Sequence, residues 1–341
     1  MKSPRSILLL QLLAAVTTSA VALLVAPLPV FAQNYQTIDP PGSTYTIARS
    51  INDNGQIVGF YLDRPGGTEH GFLYNKGIYT TIDPPGSTLT IATDINSLGQ
   101  VVGTYGGGGG GGFLYNHGTY TTIEPPGSNS GDLYINKAGQ IVGTYRDGNG
   151  VDHGFLYSQG TYTTLDYPGA FSTQALAIND GGQIVGDYQD SNVAGGAPQG
   201  FFYSQGTYTT IGPSGGIYTY LTSINKFGVI VGRYQLSSGG HEHGFVYSRG
   251  TYTDIEFPDA VSTVPLSIND KGQVTGYYQT SGTTDTQHAF VYSNGQYTSI
   301  DPPAGVDPLA FSINNFGQVV GYYADNPYTT NHGFLATLPK K

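Results

Sequence analysis

The stretch that decides the fold is Ile51-Asn52-Asp53-Asn54-Gly55-Gln56-Ile57-Val58-Gly59-Phe60-Tyr61. Asn at the first position of a four-residue turn and Gly at its fourth, between two β-rich runs, describe a strand, a tight reversal and a second strand. The unit recurs. Ile-Asn-x-x-Gly begins at Ile51, Ile95, Ile135, Ile178, Ile224, Ile268 and Ile313, with gaps of 44, 40, 43, 46, 44 and 45 residues. A period in the forties marks a repeat architecture whose units bury their faces against their neighbours.

Working outward from the first copy, residues 44–52 form strand a and residues 56–61 strand b. A polar, Gly-rich loop leads to Gly71-Phe72-Leu73-Tyr74 as strand c. The short turn Asn75-Lys76-Gly77 then gives Ile78-Tyr79-Thr80-Thr81-Ile82 as strand d. Asp83-Pro84-Pro85-Gly86 breaks pairing and hands the chain on. Four short antiparallel strands per unit predict a propeller blade. Strands of this length are too short for a membrane barrel, and a β-helix would have shorter coils.

The termini are out of phase in an informative way. The d motif stands at Tyr35, Tyr79, Tyr120, Tyr162, Tyr208, Tyr252 and Tyr297, once ahead of the first a strand. The c motif stands at Phe72, Phe113, Phe155, Phe201, Phe245, Phe290 and Phe334, and the chain stops just after the last. The fold class predicted is all-β, a seven-bladed β-propeller of four-stranded blades spanning residues 33–341. The blades run 43–83, 84–124, 125–166, 167–212, 213–256, 257–301 and 302–341 with 33–42. The N-terminal strand is expected to pair in the last blade and close the ring, leaving no open edge.

Residues 1–32 read differently. Lys2 and Arg5 precede an apolar, acid-free run from Ile7 to Val25, and Val30-Phe31-Ala32 ends it. This is the pattern of a secretory signal peptide cut after Ala32, with an uncleaved anchor as the alternative. A secreted protein, extracellular or periplasmic, is expected. Cleavage would take net charge from −10 to −12, because the segment holds two bases and no acid. So acidic a chain offers no footprint for nucleic acid or anionic lipid. With no Cys there are neither disulfides nor thiolate metal sites. No cofactor and no metal are expected, and a monomer is.

Several residues recur with the blade. Gly59, Gly103, Gly143, Gly186, Gly232, Gly276 and Gly321 sit inside strand b, where a close approach is expected, an aromatic ring of the neighbouring blade being the candidate. His precedes strand c at His70, His153, His243, His288 and His332, with Gly111 and Gln199 in the other units. These could form a ring of metal ligands or proton carriers; hydrogen bonding to backbone between blades is the expectation, since catalysis rarely needs five equivalent copies. An acid ends strand d at Asp39, Asp83, Glu124, Asp166, Glu256 and Asp301, with Gly212 the exception. Such acids form turns before Pro, or a negative rim for cations and cationic sugars.

His-Gly-Phe-Leu-Tyr at 70–74, His-Ala-Phe-Val-Tyr at 288–292 and the Ile-Asn-x-x-Gly-Gln-Ile-Val-Gly core make the mature chain resemble the bacterial extracellular HAF-family repeats. Only one unit carries His-Ala-Phe itself; four have His-Gly-Phe. The resemblance implies export and a repeat-built β fold, and it carries no reaction with it.

Function is expected on the face formed by the d–a and b–c loops. The a–b and c–d turns keep their length, whereas the b–c loop varies from seven residues to twelve. Variation on a fixed scaffold is where specificity resides. The candidate ligand face comprises Asp39, Asp83, Glu124, Asp166, Glu256 and Asp301, together with Asp63, Asp147, Asp190 and Asp325 of the b–c loops. Local chemistry is thin. His241-Glu242-His243 puts two imidazoles on one side of an extended chain, as a metal needs. Asp147, Asn149 and Asp152 resemble part of a calcium loop. The run Gly106–Gly112 is followed by no helix and says nothing about nucleotides.

The expected function is therefore an exported binding or interaction module for a glycan, a cell-envelope polymer or a protein. The alternative is a glycoside hydrolase or lyase using face carboxylates. Hydrolysis requires two carboxyls in different environments, which a near-equivalent ring does not provide; no catalytic residue is assigned.

Overall fold

The computed structural model describes residues 34–107, 111–125, 129–192, 196–281, 287–303, 305–326 and 330–339. The expected signal peptide lies outside them. The described chain forms seven four-stranded antiparallel sheets. Each packs on the next, and the seventh packs back on the first, which makes a closed seven-bladed propeller.

Blade one is typical. Its strands are Tyr45–Ile51, Ile57–Leu62, Glu69–Asn75 and Ile78–Ile82, in spatial order a-b-c-d. In the a–b turn the Gly55 N–H donates to Asn52 O at 3.0 Å, and Gly55 adopts φ 74°. At the c–d turn, Asn75 pairs with Ile78, leaving Lys76 and Gly77 at φ 49° and 89°. Both central residues at positive φ make a type I′ hairpin, whose twist suits the flanking strands.

Blade seven is built from both ends of the chain. Val306–Ile313, Gln318–Asn326 and Thr330–Thr337 supply a, b and c, and Asn34–Thr37 supplies d. Tyr35 faces Ala336 and Thr37 faces Phe334 in antiparallel register. The Ile38 N–H then donates to Gly333 O at 2.8 Å.

The core lies between blades rather than within them. Val58 and Ile82 of blade one, for instance, pack with Ala92, Ile95, Val101 and Phe113 of blade two. All seven strand-c phenylalanines are essentially inaccessible. Each truncation to Ala would cost about 3–5 kcal/mol.

The repeated Asn explains the repeated turn. Asn52 Oδ1 accepts from the N–H groups of Asn54 and Gln56. Its Nδ2 donates to Gln56 Oε1 at 2.8 Å and to the next blade's Asn96 O at 2.9 Å. That second donation is repeated through Asn96, Asn136, Asn179, Asn225 and Asn269. It closes with Asn314 Nδ2 on Asn52 O at 3.0 Å. Only an amide offers two donors and an acceptor in one short side chain, so the seven asparagines stitch the a–b end of the channel into a ring.

The strand-b glycines differ from expectation. A Cβ on Gly59 would lie 1.9 Å from Ile47 O, and on Gly186 it would meet Gln174 O at 1.9 Å and Phe201 Cε1 at 2.9 Å. The crowding comes from strand a and the strand-c Phe of the same blade, not from an aromatic of the neighbour. Its cause is a β-bulge in strand a, between Ala48 and Ser50 in blade one, which presses the bulged backbone onto strand b.

Candidate ligand-binding site

The acids that end strand d pair with the histidines that begin strand c. His70 Nδ1 lies 2.7 Å from Asp83 Oδ2, His153 Nδ1 3.0 Å from Asp166, and His288 Nδ1 3.4 Å from Asp301. His243 holds Glu256, and His332 holds Asp39 across the ring closure. The second carboxylate oxygen accepts a backbone N–H, from Gly71 to Asp83 at 3.2 Å and from Gly333 to Asp39 at 3.1 Å. Each imidazole also lies against the strand-b Tyr, as Tyr145 does on His153 at 5.1 Å. The expected backbone bonding of these histidines between blades is thus replaced by carboxylate bonding within a blade. Where His is missing, Glu124 faces Gly111 instead, its Oε1 standing 2.7 Å from where a Cβ would be.

The b–c loop acids are scattered over four blades. Asp325 reaches His332 Nε2 at 3.0 Å, so this imidazole sits between Asp39 and Asp325. Burial opposes its charge, but the two carboxylates raise its pKa above the ordinary value. Asp147 lies 3.7 Å from His153 Nε2, which joins it to Asp166. It also accepts from the N–H groups of Asn149 and Val151, and Asp152 is held by Arg146, so the calcium-like residues are taken up by a turn and an ion pair. Asp190 accepts from Asn192 N–H at 2.8 Å. Asp63 lies exposed in its loop. In His241-Glu242-His243 the middle residue pairs with Arg233 and the last with Glu256, so the two imidazoles do not share a site. No group of His, Asp and Glu among the described residues is placed to hold a metal ion.

A different set of residues meets on the propeller axis. Between the invariant Gly and Tyr of strand b stands a residue that varies: Phe60, Thr104, Thr144, Asp187, Arg233, Tyr277 and Tyr322. The bulged residue of strand a varies too, as Arg49, Thr93, Leu176, Thr222, Leu266 and Phe311, with Asp132 in blade three. The bulge residues, with Asp187 and Arg233, line an axial cavity of about 450 Å³. Strand a runs from the d–a loop to the a–b turn, where the Asn ring lies. The cavity therefore sits on the side of that ring nearer the predicted ligand face.

Its polar groups are unequal. Arg49 reaches across from blade one to Asp132 Oδ2 at 3.3 Å and lies over Phe311. Arg233 sits 4.8 Å over the Tyr220 ring and 2.8 Å from Glu242 Oε1. Asp187, only 6% exposed, has no hydrogen-bond or ion-pair partner among the described residues. Burial pushes its carboxyl up to about 7, against the opposing charge of Arg233. Tyr134 is likewise raised by burial, and so is the half-buried Asp94, which ties Ser50 to the Ile135 N–H.

Blade three adds a side pocket of about 420 Å³ lined by Gly131, Asp132, Tyr134, Thr144 and Gln174. Eleven residues separate its Ile123 from Ile135, where the other units have twelve between the corresponding positions. Its bulge falls earlier, between Ser130 and Leu133. Gly131 then stands where other blades carry Ile47, Ile91, Gln174, Tyr220, Val264 or Leu309. Asp132, Tyr134, Gln174 and Leu176 are shared with the axial cavity, so the two spaces adjoin. Sequence reasoning missed this site by following what repeats; the signal was the varying position in a repeating strand.

No protein-family model matches this chain, and no curated protein matches it in sequence. Solved structures do. The β-propeller domain of the Trilobed protease from Pyrococcus furiosus is similar at TM-score 0.64 and 9% identity, over 88% of this chain and 98% of that one. A puromycin-hydrolyzing peptidase of Mycobacterium tuberculosis is similar at TM-score 0.61 and 10% identity, over 90% of this chain and 55% of that one. Pyrococcus horikoshii acylaminoacyl peptidase is similar at TM-score 0.60 and 9% identity, over 87% and 52%. This chain spans about half the length of the two peptidases. At such identities the likeness is one of fold, and the fold is a β-propeller.

Proposed function

We propose that this chain is an exported binding module of the HAF-repeat type. Its ligand, a segment of glycan or of a cell-envelope polymer, enters the axial cavity from the d–a/b–c face. One observation carries the reading. The bulged strand-a residues that differ from blade to blade converge with Asp187 and Arg233 on one cavity with an adjoining pocket, while the residues that repeat are consumed by the scaffold. A recess of a few hundred Å³ with aromatic walls (Tyr134, Tyr220, Phe311) and few convergent polar groups is the usual form of a small-ligand site. The outer acids contribute the negative rim rather than the contact itself.

The test is a glycan-array screen of the mature protein beside the Gly131→Phe variant. Nothing crowds Gly131 more closely than Thr144 O at 3.5 Å, so the new ring fills the side pocket with the blade intact. Binding by the native protein and its loss in the variant is the expected result. Binding indifferent to the plug would place the ligand elsewhere.

One observation favours a second reading, glycoside hydrolysis. Asp187 holds its proton to about pH 7, whereas Asp132 and Glu242 lie against arginines. Carboxyls in such contrasted settings suit acid and base roles. Product analysis on any glycan captured by the array tests it.

A further inference from the structure

The axial cavity holds polar groups that lack the partners their burial calls for. Asp187 has none. Arg233 Nε is buried without a hydrogen bond, its short approach to Glu242 being out of line for one, and Arg49 Nε is in the same state. Buried polar atoms in folded proteins are nearly always bonded. Asp187 and Arg233 occupy the same repeat position in adjacent blades. They pair across their sheets with Gln174 and Tyr220, which line the same space.

The charges around this point narrow the ligand. Arg49 from blade one and Arg233 from blade five would repel an ammonium group or a metal ion. Asp187 itself, Asp132 from blade three and Glu242 behind Arg233 would repel an anion. A neutral group that both donates and accepts meets neither objection. A carboxylate is acceptor-only and a guanidinium donor-only, so the two side by side complement two neighbouring hydroxyls.

Resting on the binding reading above, we infer that Asp187 and Arg233 together hold two adjacent ring hydroxyls of a sugar. Asp187 accepts their protons and Arg233 donates to their oxygens, with the Gln174 amide and the Tyr220 phenol beside them. Asp187 must be ionised to accept from both. Facing it are Arg233, Tyr220 and Glu242 of blade five, Asp132 and Tyr134 of blade three, and Arg49 of blade one. Burial pushes the Asp187 carboxyl up to about 7, so affinity is expected to rise between pH 5 and pH 8.

The experiment is calorimetric titration of the mature protein with methyl mannoside, methyl galactoside and methyl glucoside, and with their single-deoxy analogues. One glycoside is expected to bind. Asp187→Asn, or removal of either of two adjacent hydroxyls, should weaken it about tenfold or more, each worth at least one charge-assisted hydrogen bond. The two losses should be less than additive, as for groups that touch, and the pH rise should vanish in the variant. If Asp187→Asn binds as the native protein does while Gly131→Phe does not, the inference fails and the binding reading stands. If a glycoside binds and neither variant matters, both fall; if no glycoside binds, the inference fails and the array decides the binding reading. Consumption of a glycoside by the native protein but not by Asp187→Asn would make Asp187 an acid catalyst and overturn the hydroxyl clamp.

Discussion

Asp187 is a liability that the fold carries for the sake of its cavity. An Asp whose pKa stands near 7 folded and near 3.8 unfolded binds more protons in the folded state between those values. Its contribution is therefore fully favourable below about pH 4 and is lost as pH rises toward 7. Asp187→Asn should raise the melting temperature at pH 8 and leave it nearly unchanged at pH 4. The gain at pH 8 should be of the order of 2–4 kcal/mol. Thermal melts of both proteins at the two pH values decide it; equal curves would mean that the carboxyl is solvated. The sequence showed Asp187 only as one variable residue between Gly186 and Tyr188, because nothing local tells whether that position faces the axis or the rim. The Asn of each turn, by contrast, was legible as a turn former, but its bond to the next blade was not. Asn52 and Asn96 meet only when the ring closes.

At the scale of the strand, the glycines and the His–carboxylate pairs make different demands. Gly186 has Gln174 O at 1.9 Å from a would-be Cβ, and no rotamer relieves a clash with backbone. Gly186→Ala should therefore cost about 2–4 kcal/mol, more than ordinary overpacking alone, as read from urea midpoints. A loss below a few tenths would show that the bulge can slide. The acids that end strand d are tied more lightly. Asp83 and Asp166 each accept from a His, whereas Glu124 faces Gly111. Replacing either Asp by Asn should cost about 1 kcal/mol, with Glu124→Gln nearly neutral; three thermal melts distinguish this from equal roles around the ring. The spacing of thirteen between His and acid, from His70–Asp83 to His288–Asp301, was present in the sequence all along. Spacing alone does not show the contact, because only the c–d hairpin brings the two face to face. The hairpin itself was legible, since its turn chemistry is local.

For the whole molecule the decisive bond is the one between the chain's ends, and here the sequence was explicit: one d motif too many at the start and one too few at the finish. The closure rests on four residue pairs, from Asn34 opposite Thr337 to Thr37 opposite Phe334, and on Ile38 buried beneath them. It adds the clasp of His332 between Asp39 and Asp325, and of Asn315 on Asp53 at 2.8 Å across the same seam. A propeller without this strand keeps six complete blades and one three-stranded blade with an open edge, so the ring loses its cooperative seal. Deleting residues 33–39 should lower the melting temperature by many degrees and broaden the transition, because blades next to the gap can open first. Two half-measures separate strand from clasp. Gln36→Pro should reproduce most of the loss, because the alternation set by the Ile38 N–H on Gly333 O puts the Gln36 N–H in the ladder opposite Leu335 and turns that of Thr37 outward. His332→Gln should cost little at pH 8 and more at pH 5. A His with a raised folded pKa stabilises below its unfolded value, and that stabilisation fades as pH passes the folded value. Differential scanning calorimetry of the three variants at both pH values is the measurement. A deletion variant that melts like the native chain would mean that the blades hold their ring by face packing alone and that the borrowed strand is ornamental.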